Sequence, residues 1–271
     1  MKKSYTIFGH SGFFGKNLSN YLKKLNNKVF LPKKGKYKFK KNLGNIIYAI
    51  GVDDVFKVPL KSIDANVKNI SNIILNNKFE SFTFISSTRL YLNSKNTSEN
   101  SMIKINPNKK NNYFNSLKLA GENFCLSHEN KKIKVVRLSN MYGNFFTKQN
   151  YLLPTLIRNS LNKKEIEILI NKKSKKNYLD VIDAIKVILK IINKSKFRIY
   201  NIASETRVEI NDLIRKIIKI TNCKINYFNQ STKVDEPKID INRIKKEFNF
   251  KSSSKIQDKI ELILKNYKKK W

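Results

Sequence analysis

Gly9, Gly12 and Gly15 stand three residues apart in the run Tyr5-Thr6-Ile7-Phe8-Gly9-His10-Ser11-Gly12-Phe13-Phe14-Gly15, a spacing suited to cradling a pyrophosphate. The chain must turn sharply after a strand, bring its backbone close to the phosphates, and lay the next helix tightly on the sheet. Glycine serves each step because it lacks a Cβ. The helix N-terminus then offers amide hydrogens and a partial positive charge, so no cationic side chain is required. Turn glycines are common, but here an apolar strand-like stretch precedes them and a helical stretch from Lys16 to Leu25 follows. That is the context such a match needs, and three of the chain's 8 glycines gather in it.

The elements that would position this loop alternate. Short β-branched or aromatic runs at Lys28 to Leu31, Asn45 to Ile50, Ser81 to Ser86 and Lys132 to Leu138 are predicted strands. Helical spacing of apolar residues predicts helices over Ile63 to Leu75 and Phe114 to Leu126, the order expected of parallel strands with crossover helices. The stretch between Leu31 and Asn45 carries Lys33, Lys34, Lys36, Lys38, Lys40 and Lys41 and no acid. It is too short for a helix plus a strand, so a loop or stub is expected. From Tyr151 the pattern predicts helix Leu153 to Leu161, strand Glu165 to Ile170, helix Val181 to Ile192, strand Arg198 to Ala203 and helix Ile210 to Thr221. Strand Lys224 to Phe228 and helices Ile241 to Phe248 and Ile256 to Tyr267 follow, with loops at Pro237 and at Lys251 to Lys255.

A chain of 271 residues can bury one good core, or one core with a small lobe. The net charge of +36 would ordinarily suggest nucleic acid or an anionic membrane. The basic residues are nearly all lysine, however, scattered among asparagines and isoleucines that share A/T-rich codons. The arginines are Arg89, Arg137, Arg158, Arg198, Arg207, Arg215 and Arg243, and clustered aromatics for base contacts are lacking. No nucleic-acid role is expected. Cys125 and Cys223 lie in separate apolar contexts and read as buried free thiols of a reducing compartment. With two histidines, His10 and His128, no metal-ligand cluster is expected, and no signal peptide or membrane-inserted segment is read, so the expected location is the cytoplasm.

Further stretches extend the glycine motif into a family pattern: Ile47-Tyr48-Ala49-Ile50-Gly51, Phe84-Ile85-Ser86-Ser87-Thr88-Arg89-Leu90-Tyr91, Arg137-Leu138-Ser139-Asn140-Met141-Tyr142-Gly143 and Asn177-Tyr178-Leu179-Asp180-Val181-Ile182-Asp183. Over nearly its whole length the chain resembles an extended short-chain dehydrogenase/reductase of the sugar-nucleotide epimerase, dehydratase and reductase group. The resemblance implies an α/β fold, a Rossmann-like doubly wound parallel sheet with a small C-terminal substrate lobe. Residues 1–145, with a return segment at about 177–204, would form the NAD(P)-binding domain, and 146–176 with 205–271 the lobe. It also implies a homodimer, with the helix Phe114 to Leu126 as one contributor, and a nucleotide-sugar substrate for surface polysaccharide synthesis. Implied cofactor contacts are Gly9, Ser11, Gly12, Phe13, Phe14, Gly15, Lys33, Ala49, Ile50, Gly51 and Lys118.

In such enzymes a tyrosine exchanges the hydroxyl proton, and a lysine four residues later lowers the tyrosine pKa and holds the nicotinamide ribose. By this resemblance Lys118 is the lysine and Ser87 the hydroxyl that orients the substrate oxygen, with Thr88 as fallback. Four residues before Lys118, however, stands Phe114. At about 100° per residue a spacing of four leaves side chains some 40° apart, whereas the five from Tyr113 leave about 140°. Tyr113 could substitute only if the helix began late. Three accounts stay open: Tyr113 takes over, water or a substrate group relays the proton, or catalysis is largely lost while nucleotide binding persists in a regulatory or scaffold protein.

The cofactor is NAD or NADP, and Pro32-Lys33-Lys34, where an acid would bind ribose hydroxyls, leans toward NADP. The dehydratases of the group carry an Asp-Glu pair after the serine or threonine, whereas this chain has Thr88-Arg89, which favours epimerisation or keto-reduction. Thr88, Arg89 and Asn140 are the expected substrate contacts.

Overall fold

Runs of Ile, Val, Tyr and Phe without polar breaks can be buried on both faces, as the strands of a parallel sheet are. The computed structural model describes residues 2–52, 54–92, 94–143, 151–168, 171–227, 233 and 235–268. In it such runs form β1 (Ser4–Phe8), β2 (Lys28–Phe30), β3 (Asn45–Tyr48), β4 (Ser81–Ser87), β5 (Ile133–Leu138) and β9 (Ile199–Ile202). Together they make one sheet in the order β2-β1-β3-β4-β5-β9, with every neighbouring pair parallel. This is the α/β, Rossmann-like doubly wound architecture expected. Residues 31–44 hold no helix or strand, as their length requires, so β2 is the sheet edge. Because β1 lies between β2 and β3, the chain leaves β1 and β3 in opposite directions and a crevice opens at their carboxyl ends.

Alternate residues of each strand feed opposite apolar layers. Tyr5, Ile7, Ile47 and Val136 pack with Phe14, Leu18 and Leu22 of α1 (Phe13–Lys24) and with α6 (Val181–Lys194). Ile46, Tyr48, Phe82, Phe84 and Val135 pack on the other side with α3 (Asn69–Asn76) and with Cys125 of α4 (Asn112–Ser127). A third cluster gathers α5 (Leu152–Asn162), α7 (Ile210–Thr221) and α9 (Ile256–Lys268) with β7 (Glu165–Ile168), which pairs with β11 (Lys224–Tyr227). The remaining helices are α2 (Pro59–Ile63), joined to α3 by a π-helical turn over Asp64–Lys68, and α8 (Asn242–Phe248). Of the predicted strands that start at Glu165 and Lys224, residues 169, 170 and 228 lie outside the described residues. Cys125 and Cys223 are buried and free. Among the described residues no helix is long and apolar enough to cross a membrane.

Several boundaries move. α1 starts at Phe13 rather than Lys16, and α4 at Asn112 rather than Phe114. Pattern reading also missed β6 (Asn140–Tyr142) and β10 (Arg207–Glu209), which flank β8 (Lys175–Asp180), the strand whose junction with α6 falls in the Asn177 to Asp183 stretch of the family pattern, in a small second sheet of order β10-β8-β6. The two flanking strands are short and largely polar, so pairing rather than local pattern makes them.

The helix that matters most for the site is α4. It is pressed so closely onto β4 that a Cβ on Gly121 would lie 3.1 Å from Phe84 ring atoms and collide with the Asn66 carbonyl oxygen. Next to it, Glu122 takes Arg137 of β5 through Nε at 3.0 and 3.1 Å and Nη2 at 2.6 Å, both partners buried. Arg137 also donates to the Tyr91 hydroxyl, which donates to Asn201 Oδ1 at 3.0 Å. A buried charge left without its partner is costly. Glu122→Ala is therefore expected to lower stability by about 3–5 kcal/mol in denaturant titration, whereas Glu122→Leu combined with Arg137→Met loses far less.

Candidate active site

β1 delivers the chain into the glycine loop. Gly9 has φ +86°, and a Cβ on it would sit 2.5 Å from the Ala49 carbonyl oxygen, at the end of β3. A Cβ on Gly15 would collide with the Gly9 carbonyl oxygen and lie 2.7 Å from His10 Cα. The fold itself thus excludes side chains at both positions. Gly12 differs. Its backbone is extended at φ −75°, its N–H donates to Gly9 O at 3.1 Å, and a Cβ would meet nothing nearer than that oxygen at 3.5 Å. Among the described residues no atom requires glycine there, so its missing side chain leaves room for something else at the start of α1. That helix begins without a side-chain cap and without an acid in its first turn. Gly51 is likewise open, with nothing among the described residues within 4 Å of a Cβ. Ala49 N donates to Phe8 O at 2.9 Å, which draws the two strand ends together. A cradle of this shape and polarity fits a pyrophosphate.

The other expected cofactor contacts divide by burial. Ser11, Lys33 and Gly51 are exposed, while Phe13, Ala49 and Ile50 are half-buried. Phe14 is buried, its ring in the core beside Leu18 and Leu22, so only its backbone could meet a ligand. His10 Nε2 donates to the Pro32 carbonyl at 3.2 Å and ties the glycine loop to the lysine-rich loop after β2.

At the end of β4, Ser87 Oγ accepts from Arg89 N at 3.1 Å and caps a 3-10 turn over Thr88–Tyr91. Capping uses a lone pair of the hydroxyl and leaves its proton to donate. Thr88 is buried and Arg89 is accessible. Lys118 is 6% exposed, so it is not a surface lysine. Its Nζ donates to the Ile85 carbonyl at 3.1 Å, two residues before Ser87, and lies 4.8 Å from the Phe84 ring centroid. Burial pulls its pKa down to about 8, partly opposed by the Glu122 carboxylate one turn on.

Phe114, one turn before Lys118, is half-buried, and the Arg89 guanidinium carbon lies 4.9 Å from its ring centroid. Tyr113 instead packs against Phe56, with ring centroids 5.9 Å apart. The late helix start that would free Tyr113 is not found, because α4 begins at Asn112 and holds Tyr113 within its first turn. Asn140 opens β6, and its Nδ2 donates to the Asn177 carbonyl at 2.9 Å and to Glu236 at 3.0 and 2.9 Å. Glu236 also accepts from Lys176 Nζ at 3.1 Å and Asn177 N at 2.9 Å. Its charge reaches Arg89, whose pKa burial lowers and Glu236 partly restores. Arg89 is thus accessible yet partly desolvated by the protein around it. Sequence reasoning read Glu236 as a loop residue beside Pro237, and no local signal marks it otherwise.

The Lys118 geometry sets a pH dependence. Its pKa is about 8 in the folded chain against 10.5 for a free lysine, so between those values the unfolded state binds the proton more tightly. The burden of the buried charge is full below pH 8 and disappears as pH rises toward 10.5. Lys118→Met is expected to exceed the parent in stability by on the order of 3 kcal/mol at pH 7. Chemical denaturation of both proteins at several pH values should show that gap closing between pH 8 and 10.5.

A sequence model of the NAD dependent epimerase/dehydratase family matches residues 46–203. No curated protein sequence matches the chain. Among solved structures, RMD from Pseudomonas aeruginosa complexed with NADPH is 18% identical, with a TM-score of 0.80, and the match covers 100% of this chain and 99% of that one. Epimerase Mth375 from Methanothermobacter thermautotrophicus is 14% identical, with a TM-score of 0.84 over 100% of this chain and 93% of that one. UDP-glucose 4-epimerase from Thermotoga maritima, with UDP-glucose, is 14% identical, with a TM-score of 0.77 over 98% and 99%. At these identities the structural likeness carries the fold. The family match spans β3 to β9 and so takes in Ser87, Lys118 and Asn140; this chain belongs to the NAD dependent epimerase/dehydratase family.

Proposed function

We propose that this chain is an NAD(P)-dependent epimerase or reductase acting on a nucleotide-linked sugar in the cytoplasm, in the synthesis of surface polysaccharide. The observation that carries the reading is the Lys118 ammonium, buried and fixed at 3.1 Å to the carbonyl of Ile85, two residues before Ser87 on the same strand. A dinucleotide bound here supplies the hydride acceptor or donor. Gly9, Gly12 and Gly15 with the α1 N-terminus hold its pyrophosphate, and Ala49 to Gly51 line the opposite wall. Lys118 holds the ribose hydroxyls, and Ser87 donates its proton to the reacting sugar oxygen. Lys33 and Lys34 favour the 2′-phosphate of NADP. Arg89 and Asn140 face the sugar nucleotide, with residues 146–176 and 205–271 as the substrate lobe. The exposed Phe56, Leu60 and Ile63, near α4, support a homodimer built partly on that helix.

A second reading has its own observation. Phe114 brings no proton to the position one turn before Lys118, so a protein that binds the dinucleotide but turns over little, with a regulatory or scaffold role, is the alternative. Fluorescence titration with NADPH tests what both readings share, and absence of binding at millimolar cofactor would sink both. Gly12→Ala is expected to bind NADPH at least about tenfold more weakly with little change in melting temperature, since only a ligand needs the space its Cβ would fill. With a panel of UDP- and GDP-sugars, Ser87→Ala and Lys118→Met should each lower turnover by about 10²-fold or more. If turnover emerges only in Phe114→Tyr, the alternative is correct.

A further inference from the structure

We infer that Arg89 stands at the reacting oxygen in place of a proton-exchanging side chain, and that the reaction it serves is reduction of a keto group on the nucleotide-linked sugar. This rests on the reading above and narrows it. The Arg89 backbone N–H is held by Ser87 Oγ at 3.1 Å, so the two residues share one capped turn at the end of β4. Its guanidinium carbon lies 4.9 Å from the Phe114 ring centroid, one helical turn from Lys118. The group laid over Phe114, between Ser87 and α4, is therefore a cation. A guanidinium packed against an aromatic ring keeps its N–H donors in its own plane, available at the edge. Arg89 is accessible and, among the described residues, its guanidinium makes no hydrogen bond or ion pair, so those donors are free for a ligand.

The chemistry of that cation is one-sided. It has donors and no lone pair to accept a proton, and it stays charged at any working pH. Oxidation of a sugar hydroxyl needs a base for the hydroxyl proton, and Phe114 offers none. Reduction instead ends on an alkoxide, a base strong enough to draw its proton from water, so it needs donors aimed at the oxygen rather than a proton-exchanging side chain. The carbonyl carbon receives a hydride, with its electron pair, from a reduced nicotinamide dinucleotide, which leaves in its oxidised form. The C=O π pair moves onto oxygen, and the resulting alkoxide is met by the Arg89 guanidinium and the Ser87 hydroxyl. A water molecule then gives the oxygen its proton and departs as hydroxide. Donors placed where negative charge develops supply the catalytic effect without exchanging a proton themselves.

The test uses the full-length chain with NADPH and a panel of UDP- and GDP-linked keto-sugars, following loss of NADPH absorbance. Arg89→Gln should lower kcat by about 10²- to 10³-fold, and Arg89→Lys, which keeps the charge but not the fork, should recover part of the loss. Calorimetric affinity of either variant for the corresponding UDP- or GDP-sugar, read without turnover, should stay within about threefold of the parent. Two results would overturn the inference while leaving the reading in place: Arg89→Gln with unchanged kcat but affinity weakened about tenfold or more, which makes Arg89 a phosphate contact, or a parent enzyme that oxidises or epimerises hydroxyl sugars as fast as it reduces keto-sugars. A parent that binds cofactor and sugar nucleotide but reduces no keto-sugar also overturns it. A parent that binds neither brings down the reading as well.

Discussion

The close seating of α4 on β4 is the constraint on which the rest of the site depends. Gly121 permits it, since a Cβ there would strike the Asn66 carbonyl and the Phe84 ring. The Glu122–Arg137 pair then fixes the same turn of the helix to β5 through a buried, doubly hydrogen-bonded contact. With that turn fixed, Lys118 reaches the Ile85 carbonyl and Phe114 falls beside the turn that Ser87 caps. Helix geometry transmits the constraint, because residues four apart lie on nearly one face.

Charge in this chain is abundant, yet position rather than quantity gives it chemical meaning. Most of its lysines are solvated and set a general electrostatic background that salt screens. Lys118 and Lys134 are both buried, and both donate to a backbone carbonyl. Lys134 donates at 3.0 Å to the Ile191 carbonyl, in the last turn of α6, which also accepts from Ser195 N, and so brings a cation to the negative end of that helix. That accounts for it structurally. Lys118 donates to the carbonyl of Ile85 near the carboxyl end of β4, two residues before Ser87, where no helix end accounts for it.

The three glycines also separate once the loop is folded. Gly9 and Gly15 are needed by the protein, one for a left-handed turn against β3 and the other for the packing of α1 on that turn. Gly12 has no such reason, and so of the three it speaks most directly of a bound group. In one dimension they were equivalent members of a spacing.

The alternation of apolar runs determined the central sheet and its helices, because burial on two faces leaves a pattern that local sequence must carry. It also determined the short stub after β2, since chain length alone forbids a full unit there. The glycine spacing, Ser87 and Lys118 could be singled out in the sequence because each belongs to a contiguous motif. Tertiary structure decided the rest. The short polar strands β6 and β10 exist through their pairing with β8, and Glu236 meets Asn140 and acts on Arg89 across segments far apart in the chain. The contact of Arg89 with Phe114 joins a strand end to a helix, and the start of α4 at Asn112 directs Tyr113 to Phe56 instead. Sequence spacing reports which residues share one element; which elements converge on one cleft is set by how the layers pack.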